Sequence, residues 1–308
     1  MSLFDFTHKP FSVDKPIRMI SLFAGIGAPE VALRNLGVDF EHYRVIEFDP
    51  YKVKQYNAIH GTNFEPMDVT EVKGEDLGIV EKDKYNYLLS YSYPCQDVSL
   101  AGLRQGMAEG SGTRSSLLWE VRRLLDETAE LPDILLMENV PACHNAQNAP
   151  EFNRWIQYLT SRGYSTYYDD LNACDYGIAQ SRNRTFAVSL LGEYVYHFPE
   201  PIELRTVLKD YLEDEVAEKY YMRSEKAEQL IQSLIDRGEL PPLNNSSTNK
   251  QTNKQTVTTP ERYPCDLAIT NPKVREVATA VMERQTRGIS NIPAQGIGVV
   301  ECTTTTQR

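Results

Sequence analysis

The segment Ile17-Arg18-Met19-Ile20-Ser21-Leu22-Phe23 constrains the fold most. It is an apolar run of strand length that breaks into Ala24-Gly25-Ile26-Gly27-Ala28-Pro29-Glu30 and resumes as a helical pattern at Val31, Ala32, Leu33 and Leu36. Strand, glycine turn and helix in that order begin a crossover to a parallel neighbour. The pattern recurs along the chain. Strands are predicted at Tyr43–Phe48, Tyr87–Tyr91, Ile134–Met137, Tyr164–Asp170 and Thr185–Leu191, and helices at about Tyr51–Ile59, Ser116–Leu125 and 151–162. Alternation with short connections predicts an α/β chain with a doubly wound, mostly parallel sheet. Ligands of such sheets bind beyond the carboxyl ends of the strands, where the polar clusters of this sequence fall.

At 308 residues, 41% of them hydrophobic and 24% charged, the chain can bury a substantial core, which excludes collagen, coiled coil and disorder throughout. A net charge of −11 argues against coating nucleic acid by bulk charge, while leaving room for a local basic face. Residues 244–308 carry eight Lys and Arg against five Asp and Glu, so the tail is mildly basic and the body acidic. The expected organisation is a catalytic, cofactor-binding domain over 1–200, a helical connection over 201–243 with helices at 204–213 and 224–237, a polar flexible linker over 244–259 and a further small region over 260–308. The linker contains Thr-Asn-Lys-Gln twice in succession and almost no apolar residue. The N-terminus has no apolar signal core, and no apolar run approaches the roughly 18 residues of a membrane span, so a cytoplasmic protein with no membrane partner is expected. Five scattered cysteines form no C-x-x-C pair and no metal-ligand grouping with histidine, which predicts reduced thiols and no metal site.

Each polar cluster admits two readings. Gly25-x-Gly27 lacks a third glycine, since Ala28 stands there, and serves equally as a cofactor turn or as a tight packing turn. Glu47, at the end of the next strand, fits an acceptor for ribose hydroxyls or a solvated strand-end acid. Asp68 could accept from an adenine amine or simply cap a turn. Tyr93-Pro94-Cys95-Gln96-Asp97-Val98-Ser99 follows a buried strand directly, and Pro94 restricts the backbone that presents Cys95. Such a cysteine is a nucleophile or a buried structural thiol. Glu138, delivered by the apolar strand Ile134–Met137, is poised to hold a proton or to cap the next helix. Gln180, Arg182 and Arg184 alternate before another strand and would point one way, as three donors to a substrate or as a solvated strand end.

In order, the motifs F-A-G-I-G, an acid, Y-P-C-Q-D-V-S-L-A-G, G-T-R-S-S-L-L-W-E, M-E-N-V and D-Y-G-I-A-Q-S-R-N-R resemble the DNA cytosine-C5 methyltransferase family across about residues 17–200. The resemblance implies a methyltransferase fold that uses S-adenosylmethionine, double-stranded DNA as partner and a flipped-out cytosine as substrate. Cytosine C5 is too weak a nucleophile to take a methyl group until a thiolate adds at C6, and Cys95 fits that thiolate. Glu138 fits the acid at N3. The resemblance further implies that Arg184 bonds the cytosine O2, that Arg182 supports the nucleophile loop and that Gln96, Ser99 and Gln180 contact DNA. It implies that Phe23, Ala24, Gly25, Ile26 and Gly27 line the cofactor, Glu47 holds its ribose, Phe48 packs on adenine, and Asp68 with Val69 bounds the adenine edge.

Two closing motifs of the family, an R-x-L-x-x-x-E-x-x-x-L-x-G-F type segment and a G-N-[SA]-V type helix start, are not found in the sequence, so 260–308 is expected to be a small, incomplete target-recognition region. Residues 1–308 alone are then expected to bind S-adenosylmethionine weakly and to transfer little methyl, with a second chain as one source of the missing motifs. The readings that follow are a restriction–modification or solitary DNA methyltransferase, an RNA cytosine methyltransferase with the same residues, and a non-catalytic relic.

Overall fold

The computed structural model describes residues 9–94, 114–213 and 225–240, together with the backbone of three short strands at 261–266, 278–279 and 297–302. Cys95, Gln96, Ser99 and the expected linker at 244–259 lie outside the described residues, as does most of the expected recognition region. The chain divides into two compact units, Met1–Leu171 with Asn183–Pro199, and Asn172–Arg182 with Glu200–Arg308.

In the first unit the elements run β1 (Lys9–Pro10), β2 (Ile17–Leu22), α1 (Ala28–Asn35), β3 (Phe40–Ile46), α2 (Pro50–His60), β4 (Asn86–Tyr91), α3 (Leu118–Glu127), β5 (Ile134–Asn139), α4 (Ala149–Ser161) and β6 (Tyr164–Asn172, its last residue in the second unit). The two-residue β7 (Gln180–Ser181) belongs to the second unit, and β8 (Asn183–Leu191) and β9 (Tyr194–Val195) return to the first. Six strands form one sheet in the order β3-β2-β4-β5-β8-β6. β3, β2, β4 and β5 are parallel, and β8 runs antiparallel to β5. The expected doubly wound, mostly parallel sheet is therefore present.

Two-residue alternation sorts the strand side chains between two cores. Ile20, Leu22, Tyr87, Leu89, Tyr91, Leu135 and Met137 meet Leu118, Trp119, Leu124, Phe152 and Trp155 of α3 and α4. Ile17, Met19, Leu88, Ile134, Val188 and Leu190 meet Leu33 of α1 and aromatics of the flanking chain. β4 is buried at all six positions, as expected of a central parallel strand covered on both faces. α4 places Phe152, Trp155 and Leu159 on one stripe, and the Trp155 indole donates to the Tyr91 hydroxyl at 3.1 Å. Each such buried side chain contributes roughly 1.5–3 kcal/mol.

Helix starts follow local chemistry. The Asp49 carboxylate accepts from the Tyr51 amide at 2.9 Å and Pro50 occupies the first turn of α2, which ends at Gly61 in the left-handed region. In the second unit, α5 (Glu225–Asp236) lies within the expected 224–237. The helix expected at 204–213 is absent: only a single 3₁₀ turn forms, at Leu208–Tyr211. There the Asp210 carboxylate accepts from the Val207 amide at 2.9 Å, a local bond that closes one turn. The remaining strands are β10 (Glu261–Asp266), antiparallel to β12 (Ile297–Cys302), and β11 (Ala278–Thr279), parallel to β7. No described helix is long and apolar enough to cross a membrane.

Candidate active site

The carboxyl ends of β2, β3, β4 and β5 and the amino end of antiparallel β8 share one edge of the sheet, and alternation fixes what each delivers there. On β5, Glu138 shares a face with Ile134 and Leu136, while Asn139 falls on the opposite face. Arg184 of β8 lies on the face of Val188, and Ser92 continues the face of Leu88 and Ser90. Ser92, Glu138 and Arg184 therefore converge. The Arg184 Nε lies 3.0 Å from one Glu138 carboxylate oxygen, and the Ser92 hydroxyl donates to the other at 3.1 Å. Arg184 also donates to the Asn183 carbonyl at 2.7 Å, which further fixes the guanidinium. A hydroxyl and a guanidinium thus flank the Glu138 carboxylate.

Asn139 faces the other way and acts on the backbone. Its amide donates to the Tyr93 carbonyl at 3.1 Å, and its carbonyl oxygen accepts from the Val140 amide at 2.8 Å. Tyr93 is buried and Pro94 is the last residue described before Cys95, so Asn139 anchors the loop that leads to that cysteine. The side chains of two other cysteines are described. Burial pushes the Cys143 thiol up to about 12, and burial followed by the Asp175 charge raises that of Cys174. Neither has the lowered pKa of an activated nucleophile.

Gln180 lies on β7 and Arg184 on β8, with Arg182 between the two strands. β7 ends at Ser181, β8 starts at Asn183, and the Arg182 amide between them donates to the Asn172 side chain at 2.9 Å. The Arg182 carbonyl in turn accepts from the Ala173 amide at 3.0 Å.

At the other end of the edge, the glycine turn joins β2 to α1. Phe23, Gly25 and Gly27 all have positive φ, at 56°, 57° and 78°. A non-glycine residue held there marks backbone strain of the kind found at ligand sites. The Gly25 amide donates to Glu47 at 3.0 Å and the Asp49 amide donates to its second oxygen at 3.1 Å, so this carboxylate, only 5% exposed, ties the turn to the end of β3. A side chain at Gly25 would project into open space, whereas one at Gly27 would strike His60 and Tyr56. Gly25 thus faces open space, and Gly27 is packed against protein. Ala24 donates its amide to Ile46, while Ile26, Phe48 and Met67 stand exposed around the turn, Phe48 by 67%. Asp68 accepts from both the amide and the hydroxyl of Thr70 at 2.9 Å and so holds a local turn, and Val69 is buried in the core.

Sequence reasoning missed Ser92 and the polar group beneath the glycine turn: Ser21, Glu30, Tyr56, His42 and His60. Ser92 could have been found as a polar residue two positions beyond Ser90, on the same face of the strand. Glu30 carries no such signal, because an acid in the first turn of a helix is ordinarily a surface feature.

A buried carboxylate gripping a glycine turn, bordered by exposed apolar side chains, suits a nucleoside. An acid–guanidinium pair at the same edge suits a base with adjacent acceptor atoms. The sequence matches the family of C-5 cytosine-specific DNA methylases over residues 17–299. The chain is 30% identical over 269 residues, 71% of its length and 74% of the relative's, to the type II methyltransferase M2.ScrFI of Lactococcus lactis subsp. cremoris. It is 33% identical over 259 residues, 67% of each chain, to the orphan methyltransferase M.SssI of Spiroplasma monobiae. Its fold is similar to that of the S. pombe Dnmt2 methyltransferase, with a TM-score of 0.54 at 22% identity, covering 73% of this chain and 66% of that one. The chain belongs to the C-5 cytosine-specific DNA methylase family, the DNA (cytosine-5-)-methyltransferases.

Proposed function

We propose that the protein transfers a methyl group from S-adenosylmethionine to carbon 5 of a cytosine flipped out of duplex DNA. The observation that carries the reading is the Glu138–Arg184 pair at 3.0 Å, on the edge where Asn139 anchors the approach to Cys95. Cytosine presents N3 and O2 side by side, and a carboxyl group beside a guanidinium addresses one atom each.

Cys95 adds as thiolate to C6, and the electron pair displaced from the C5–C6 bond moves into the ring. Glu138 protonates or hydrogen-bonds N3 and so lowers the energy of the ring as charge develops. Arg184 bonds O2, and Ser92 fixes the Glu138 carboxyl. Carbon 5, now nucleophilic, would take the methyl group as the sulfonium S–CH3 bond breaks and leaves the neutral thioether S-adenosylhomocysteine; a base then removes the C5 proton, the returning electron pair expels Cys95 as thiolate, and any proton on N3 goes back to Glu138. Arg182 supports the nucleophile loop, and Gln96, Ser99 and Gln180 contact the DNA.

S-adenosylmethionine supplies an electrophilic methyl group on a sulfonium when bound. The residues at the glycine turn fit it: Gly25 leaves the space, Glu47 presents a carboxylate for ribose hydroxyls, and exposed Phe48 offers a flat face for adenine, with Phe23, Ala24, Ile26, Gly27, Asp68 and Val69 around them. Residues 1–200 would carry this chemistry and 260–308 would contact the target sequence. The type II and orphan relatives support a role in restriction–modification or as a solitary modifying enzyme.

Labelled methyl transfer to duplex DNA of mixed sequence, at stoichiometric protein and with digestion to nucleosides, tests the proposal. Label in 5-methylcytosine is expected. Label confined to other nucleosides, or to RNA offered in parallel, would contradict it.

A further inference from the structure

His60 is the last residue of α2, and its imidazole Nε2 lies 3.0 Å from the carbonyl oxygen of Ile26, inside the glycine turn. A carbonyl only accepts, so Nε2 carries the proton and donates. The ring is packed beside that carbonyl. It lies against Tyr56, with centroids 4.4 Å apart, and against His42 at 4.8 Å.

Those two rings are themselves held from below. Tyr56 is fully buried and donates its hydroxyl at 3.0 Å to Glu30, which also accepts from Ser21. Because the Tyr56 proton is committed to that carboxylate, its oxygen accepts from His42 Nδ1 at 2.7 Å. Glu30 is 1% exposed, with one oxygen bonded twice and the other without a hydrogen-bond partner, and the His60 Nδ1 is likewise buried without one. Two orphaned buried polar atoms are a cost that the fold carries at this place. The stack leaves no room at Gly27: a β-carbon there would come within 2.3 Å of His60 Nε2 and 2.6 Å of the Tyr56 ring. The turn and the stack are thus fitted to each other.

We infer that His60 is a positioning residue for the nucleoside site, holding the Ile26 carbonyl so that Gly25 and Glu47 keep the geometry that receives S-adenosylmethionine. The inference rests on the proposed location of the cofactor site. His60 touches no cofactor atom in this account; it acts through the backbone of Ile26.

The test is calorimetric titration of the 308-residue chain with S-adenosylmethionine and with S-adenosylhomocysteine, alongside the unliganded melting temperature. His60→Leu should weaken both ligands about tenfold, the scale of one lost hydrogen bond and a loosened turn. His60→Gln, whose side-chain amide can still reach the carbonyl as a donor, should bind within about threefold of the parent, a threefold change being under 1 kcal/mol. Equal binding by His60→Leu, or binding by His60→Gln as weak as by His60→Leu at a matched melting temperature, would overturn the inference while leaving the cofactor site in place. No binding by the parent chain at millimolar ligand would overturn the site itself.

Discussion

The guanidinium of Arg184 meets the carboxylate of Glu138 at 3.0 Å across an antiparallel strand pair, in the register that sets Glu138 opposite Phe186 and Asn139 opposite Thr185. Both side chains are mostly buried, at 19% and 28% exposed. Antiparallel β8 makes this possible: its amino end reaches the edge where the parallel strands place their carboxyl ends. An acid and a guanidinium 46 residues apart, one near the carboxyl end of β5 and the other near the amino end of β8, are thereby brought to one face.

Glu138→Gln should keep cofactor binding and slow methyl transfer in a single turnover by roughly 10²–10⁴-fold, because an amide can hydrogen-bond N3 but cannot protonate it. The variant also loses the charge facing Arg184, so the melting temperature should be measured beside the rate. An unchanged single-turnover rate would make Glu138 structural only.

Asn139→Ala removes the donor to the Tyr93 carbonyl and the acceptor for the Val140 amide. A stability loss of about 1–3 kcal/mol is expected by urea unfolding, the scale of a buried group left without its partner. Thiol alkylation at Cys95 should become faster as its anchor is lost. A variant as stable as the parent, with unchanged Cys95 reactivity, would show that the loop is fixed elsewhere.

Burial raises the Cys143 thiol to about 12, so the folded protein holds this proton to a higher pH than the unfolded chain does. The contribution to stability is complete below the ordinary thiol pKa and is lost as pH rises from there toward about 12. At pH 8, iodoacetamide should leave Cys143 unmodified in the native protein and modify it in urea, as read by peptide mass spectrometry. Equal rates in both states would contradict its burial.

The sheet was legible because its strands are apolar runs ended by polar residues, a signal local in the chain. Boundaries were less so. The strand expected at Tyr43–Phe48 is displaced to Phe40–Ile46, because Glu47 leaves the strand to accept from the Gly25 and Asp49 amides, a partnership no local pattern reveals. The helix expected at 204–213 is reduced to one 3₁₀ turn, which the Asp210 bond to the Val207 amide starts but the chain does not extend. The motif residues at the edge could be named in advance, yet Glu30 could not, because its burial depends on Tyr56, 26 residues away.

The proposed mechanism turns on a covalent bond between Cys95 and cytosine C6. Duplex DNA carrying 5-fluorocytosine, incubated with protein and S-adenosylmethionine, tests it most directly, because fluorine cannot leave C5 as a proton does and the adduct persists through denaturation. A denaturation-resistant complex whose DNA-linked peptide contains Cys95 is expected, as is its loss in Cys95→Ser. A complex that survives Cys95→Ser, or a linked peptide containing Cys143 or Cys174, would contradict it.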